Sequence, residues 1–71
     1  MEMLILKTNI NSKTDFKKLR YILNNSYKIN ECTLDFGDRD KVLRIVGNEL
    51  NIEDVISRVK NLGYYCEDLT Y

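Results

Sequence analysis

The hydrophobic periodicity of this 71-residue sequence changes repeatedly between the two-residue spacing of a strand and the 3.6-residue spacing of a helix. Apolar residues alternate over residues 3–10, 29–36 and 41–46, which predicts three strands, and residues 64–71 are predicted as a fourth. Between them, apolar residues recur at three- and four-residue spacing over residues 12–26 and again after Asn51 as far as Leu62. The predicted order of elements is therefore β-α-β-β-α-β.

Polar residues mark the starts of both predicted helices. Ser12 with Asp15 three residues later resembles a capping box with the shorter acid, and Thr14 is a rival cap. Asn51 can cap the second helix, with Asp54 three residues later. Both helices are therefore expected to begin abruptly after a loop.

This order of elements, joined by right-handed crossovers, predicts a ferredoxin-like α+β sandwich that occupies residues 1–71 as a single domain. Its four-stranded antiparallel sheet has the order 4-1-3-2 and carries both helices on one face. In that arrangement Cys32 and Cys66 lie on opposite edge strands, about 14 Å apart at ~4.8 Å per strand, whereas a disulfide requires Cα atoms within about 7 Å. We therefore expect two free thiols, both buried as core residues.

The composition excludes several classes of function. Without histidine, or a Gly-rich phosphate loop, the chain lacks the usual parts of a catalytic site, so we expect no enzyme. Eleven basic and eleven acidic residues leave a formal charge of zero, so no nucleic-acid partner is expected. The longest apolar run is only residues 3–6, too short for a membrane span, and we expect a soluble cytoplasmic protein.

Several stretches have the sequence pattern of a known small βαββαβ domain. Residues 6–15 read LKTNINSKTD and lead into the first helix, residues 40–47 read DKVLRIVG, and residues 61–64 read NLGY. In these features the chain resembles, over nearly its whole length, the heavy-metal-associated domain of copper chaperones and metal-transport ATPases. That family holds its metal through a Cys-x-x-Cys pair on the loop entering the first helix. At those two positions this sequence has Ser12 and Asp15.

The replacement changes the chemistry that the resemblance implies. Two thiolates at a helix start form a soft site that favours Cu(I), whereas a hydroxyl and one carboxylate are hard oxygen donors. We expect no cofactor and a metallochaperone-like domain whose metal site is degenerate. The alternatives are a weak metal site in the loop from Asn11 to Asp15, assisted by Asn9 and Thr14, or an anion bound at the helix start near Lys13.

Two surfaces are candidates for binding another protein. The resemblance implies that the loop meets partner domains, which would place Asn11, Lys13 and Lys17 in the contact, and the neighbouring Lys18 and Arg20 would complement an acidic partner. The helix-free face of the sheet is expected to be unusually apolar and to contact another protein or a second copy of the chain. Its predicted residues are Met3, Ile5, Val42, Arg44, Val46, Tyr65 and Leu69.

Overall fold

A computed structural model describes residues 1–69 as one four-stranded antiparallel sheet and two helices. The sheet has the strand order β2-β3-β1-β4, which confirms the predicted ferredoxin-like α+β fold and its central first strand. The elements are β1 (Glu2–Thr8), α1 (Lys13–Ser26), β2 (Lys28–Leu34), β3 (Leu43–Asn48), α2 (Ile52–Asn61) and β4 (Cys66–Asp68).

The core lies between the two helices and one face of the sheet. Every second residue of β1 faces it, and full burial of each large aliphatic side chain contributes about 1.5–3 kcal/mol. The helices contribute residues four positions apart, as the amphipathic pattern predicted. The fully buried large side chains are Leu6, Ile10, Leu19, Leu23, Leu43, Ile45, Val55 and Val59.

β1 ends at Thr8, two residues before the predicted end, because the backbone changes its hydrogen-bond partners there. The Thr8 N–H donates to the Asp40 carbonyl at 3.1 Å, and the Thr8 hydroxyl donates to the Lys41 carbonyl at 2.7 Å. The Thr8 hydroxyl oxygen in turn accepts the N–H of Ile10. Ile10 therefore leaves the sheet while its side chain stays fully buried.

The turn between β2 and β3 is longer than the sequence predicted. The Asp35 carboxylate accepts a hydrogen bond from the Gly37 N–H, and the Asp38 carboxylate accepts one from the Asp40 N–H. The chain therefore turns before Phe36. As a result β2 ends at Leu34 and β3 begins at Leu43, not at residues 36 and 41.

A bulge interrupts β2 near its start. The register with β3 shifts between Ile29 and Glu31, and the extra residue lets Ile29 and Cys32 both pack on the core, although strict alternation would separate them. At the same place β3 approaches β2 closely. A Cβ on Gly47 would lie 2.5 Å from the Lys28 carbonyl oxygen, so only glycine fits.

The last strand, β4, is shorter than the predicted residues 64–71. Tyr65 precedes it and donates its N–H to the Asn9 side chain, not to a neighbouring strand. Gly63, with φ of +93°, makes the left-handed turn after α2. Thr70 and Tyr71 lie outside the described residues. Neither helix in residues 1–69 is long and apolar enough to cross a membrane.

The close approach at Gly47 gives a stability test. Gly47→Ala should lower the free energy of unfolding by about 1–3 kcal/mol, because the added methyl group forces β2 away from β3. Gly37→Ala is the matched control: its Cβ would meet only the Asp35 carboxylate at 3.5 Å, and we expect a change within about 0.5 kcal/mol. Urea unfolding measures both, and equal effects of the two substitutions would contradict this account.

Candidate functional site

Ser12 is the residue that starts α1, as the capping pattern predicted. Its hydroxyl oxygen accepts the Asp15 N–H at 3.2 Å, and its carbonyl accepts the Phe16 N–H at 3.0 Å. The rival cap, Thr14, is an exposed residue within the helix. The Ser12 side chain therefore satisfies one of the N–H groups that a helix start leaves unpaired.

Asp15 accepts a hydrogen bond from a residue that follows α2. The hydroxyl of Tyr64 donates to the Asp15 carboxylate, while the half-buried Tyr64 ring packs against the core. This hydrogen bond raises the pKa of Tyr64, with burial and the negative charge of Asp15 adding to the effect. The side chains at both positions of the implied metal motif are thus engaged by groups of the protein itself.

The donors around this loop do not fit a soft metal ion. The oxygen of the Asn9 side chain accepts the Tyr65 N–H at 2.8 Å, and Asn11 and Thr14 are exposed. Within residues 1–69, no three acidic or cysteine side chains lie close enough together to hold a metal ion. The loop instead offers scattered hard oxygens, most of them already hydrogen-bonded.

The two cysteines are free and buried, as predicted. Cys32 is 9% exposed on β2, and Cys66 is 5% exposed on β4, at the opposite edge of the sheet. Burial raises the pKa of each thiol to about 11. The positive charge of Arg20 partly opposes this shift for Cys32, and that of Lys60 partly opposes it for Cys66. Both thiols are therefore harder to ionise than an exposed cysteine, which disfavours them as metal ligands.

A second tyrosine–aspartate pair, which the sequence did not predict, links the other ends of the helices. Tyr27 directly follows α1 and donates its hydroxyl to Asp54 at 2.5 Å, and Arg58 donates to the same oxygen at 2.8 Å. These two hydrogen bonds lower the pKa of Asp54, while burial and the hydrogen bond raise that of Tyr27. The sequence did contain a signal for both tyrosine–aspartate pairs, because an aspartate stands three residues after each helix cap and a tyrosine follows each helix.

The exposed side of α1 carries cations without acidic partners. Lys13, Lys17 and Lys18 are all exposed, and within residues 1–69 none of them forms an ion pair or a hydrogen bond. Arg20 lies over the Phe16 ring, with its guanidinium carbon 5.7 Å from the ring centroid. Lys13, Lys17 and Arg20 are four and three residues apart and therefore lie along one side of α1.

On the helix-free face of the sheet, the strand register brings together four of the residues predicted for it. The register places Met3 beside Val46 and Ile5 beside Arg44, and the Arg44 side chain donates to the Met3 sulfur at 3.3 Å. Only part of this surface is strongly exposed, because neighbouring side chains cover the aliphatic members. Met3 is 43% exposed and Tyr65 49% exposed, Arg44 is exposed, and the half-buried members are Ile5, Val42, Val46 and Leu69.

Comparison of the chain with protein-family models, with curated proteins and with solved structures gave no match. The class that the structure defines is therefore that of a small ferredoxin-like α+β domain, in which the loop before α1 is closed by Ser12, Asp15 and Tyr64.

The buried thiols predict that the protein loses stability in alkali. An unfolded thiol gives up its proton near pH 9, whereas the native thiols keep theirs to about pH 11. The native state therefore holds more protons in this interval, and the free energy of unfolding should fall as pH rises, by up to about 1.4 kcal/mol per pH unit for each thiol.

Urea unfolding of the reduced protein at a series of pH values measures this slope. The double variant Cys32→Ala, Cys66→Ala should be less stable at pH 7 but should show a flatter dependence between pH 9 and 11. An unchanged slope in the double variant would assign the alkaline loss to other groups, such as Tyr27 and Tyr64, and would contradict the account of the thiols.

Proposed function

We propose that this chain is a non-enzymatic domain of the heavy-metal-associated type that has lost its thiolate metal site and binds another protein instead. One observation carries this proposal: the side chains at both motif positions are used inside the fold. Ser12 caps α1, and Asp15 accepts the hydroxyl of Tyr64. A loop closed in this way retains its shape without a metal ion, so its surface is free to serve as a docking site.

The loop and the adjoining part of α1 are the surface we assign to the partner. Asn11, Lys13 and Lys17 are exposed there, and neither lysine forms an ion pair within the described residues. Cations that the domain does not neutralise itself favour a partner with an acidic surface, because complementary charge speeds association and selects the partner. The partner we propose is therefore an acidic protein.

A second copy of the chain is a further candidate partner, through the helix-free face of the sheet. Met3 and Tyr65 are large side chains about half exposed on this face, and the zero formal charge imposes no net repulsion between copies. Arg44 lies among the aliphatic side chains of this face, so a dimer must place an acid of the second copy beside it. Glu31 and Glu67 are acids on the same face.

The absence of a working metal site can be tested by recording ¹⁵N HSQC spectra of the reduced protein during titration with Cu(I) and then Zn²⁺. We expect the amides of residues 9–16 to keep their positions at one equivalent of metal, because the side-chain oxygens of Asn9, Ser12 and Asp15 are already hydrogen-bonded and the loop has no thiolate. Saturable stoichiometric shifts of these amides would contradict the proposal and favour an unconventional metallochaperone.

The docking surface is tested with matched charge reversals. A partner recovered by crosslinking to the wild-type domain should not be recovered with the double variant Lys13→Glu, Lys17→Glu. The acidic residues of the partner would then face the negative charges of the two new glutamates. Lys60→Glu is the control, since it reverses an equally exposed lysine on α2. Loss of the partner with the control, or retention with the double variant, would contradict the assignment of this surface.

A further inference from the structure

β2 has a free outer edge. It is a terminal strand of the sheet, and no strand in residues 1–69 pairs with its outer side. The Asp35 N–H donates to the Val42 carbonyl of the neighbouring chain segment, and the hydrogen bonds of an antiparallel ladder alternate along a strand. The backbone N–H and C=O groups of Cys32 and Leu34 therefore point outward, available to another strand.

A groove lies between α1 and the first part of β2, from Ile29 to Cys32. Its volume is about 400 Å³, enough to accept side chains of a chain segment laid beside β2. The bulge near Asn30 disturbs only the beginning of the edge, and the pairing from Glu31 to Leu34 is regular. The lining residues are Arg20 and Asn24 of α1 and Ile29, Asn30, Glu31 and Cys32 of β2.

The α1 side of this groove is formed by one cation, Arg20, and the neutral Asn24. Lys13, Lys17, Arg20 and Asn24 are spaced by three or four residues and form one row along α1, of which the last two line the groove. Arg20 is held in place by the Phe16 ring and forms no ion pair within the described residues. A segment lying along β2 would therefore meet Arg20 on its α1 side, with Lys17 one turn further along the same row, while Glu31 of β2 also lines the groove.

We propose that the edge of β2 binds an extended acidic segment of the partner protein, which adds a fifth strand to the sheet. Backbone hydrogen bonds to Cys32 and Leu34 supply the pairing, and acids at alternate positions of the segment meet Lys17 and Arg20. This inference rests on the proposed protein-binding function and specifies how the partner binds.

A display library of random peptides of about ten residues, selected on the folded full-length chain, tests the inference. We expect enriched peptides to carry acids at alternate positions and to shift the amides of Arg20, Cys32 and Leu34 in ¹⁵N HSQC spectra. Lys17→Glu and Arg20→Glu should each weaken binding by about tenfold, while Lys60→Glu leaves it unchanged within about twofold. The backbone nitrogens of an extended peptide form two alternate sets, and only one set faces β2. Methylating that set should abolish binding, because the ladder cannot form, whereas methylating the other set should leave binding in place.

Four results would overturn the inference. Three concern the peptides: enriched peptides that shift Ile5 and Val46 on the helix-free face instead, binding that survives methylation of either alternate set of backbone nitrogens, and a selection that enriches nothing. Concentration-dependent sedimentation that Arg20→Glu abolishes would also overturn it, by showing that a second copy occupies the edge. After any of these results, a partner that is captured through Lys13 and Lys17 would still support the proposed function. Stoichiometric Cu(I) binding in the loop would instead contradict the proposed function and would not affect the peptide result.

Discussion

The hydroxyl groups of two tyrosines connect the helices at both ends, and the geometry of the candidate site depends on one of these connections. Tyr64, after α2, donates to Asp15 in the first turn of α1, and Tyr27, after α1, donates to Asp54 in the first turn of α2. Each aspartate stands three residues after a cap, so the same local structure is used twice. The loop before α1 is therefore held from two directions, by its own cap and by the chain that follows α2.

This connection explains why the loop can be ordered without a ligand. In a metal-binding loop the ion neutralises ligand charges and fixes their positions, so loss of the ion leaves like charges together. Here Asp15, in the first turn of α1, supplies one carboxylate. It accepts a hydrogen bond from the Tyr64 hydroxyl and lies at the positive end of the α1 dipole. The charge that remains uncompensated on this side of the molecule is positive, from the lysines of α1, and this is the basis for proposing an acidic protein partner.

The sequence predicted the order of elements, the topology of the sheet and the caps Ser12 and Asn51, because these depend on local periodicity and on hydrogen bonds between near neighbours. It misplaced strand ends where side chains take over backbone hydrogen bonds, as Thr8 and Asp35 do. The bulge that turns Ile29 toward the core results from packing between β2 and β3, which no pattern within β2 specifies.

For the candidate site, the sequence located Ser12 and Asp15 but could not show what they contact. The hydrogen bond from Tyr64 to Asp15 joins residues far apart in the chain and follows from the antiparallel placement of the helices. The groove beside β2 was likewise missed, because it depends on the distance between α1 and an edge strand. Only the fold brings Arg20 to that groove.

We propose that the loop before α1 keeps the backbone shape of a metal-binding loop and lacks only the thiolates. Calorimetric titration of the reduced double variant Ser12→Cys, Asp15→Cys with Cu(I), beside the wild-type protein, tests it most directly. The account predicts that the folded double variant binds one Cu(I) far more tightly than the wild-type protein, because two thiols at the start of α1 restore a soft site. A folded double variant that binds Cu(I) no better than the wild-type protein would contradict it.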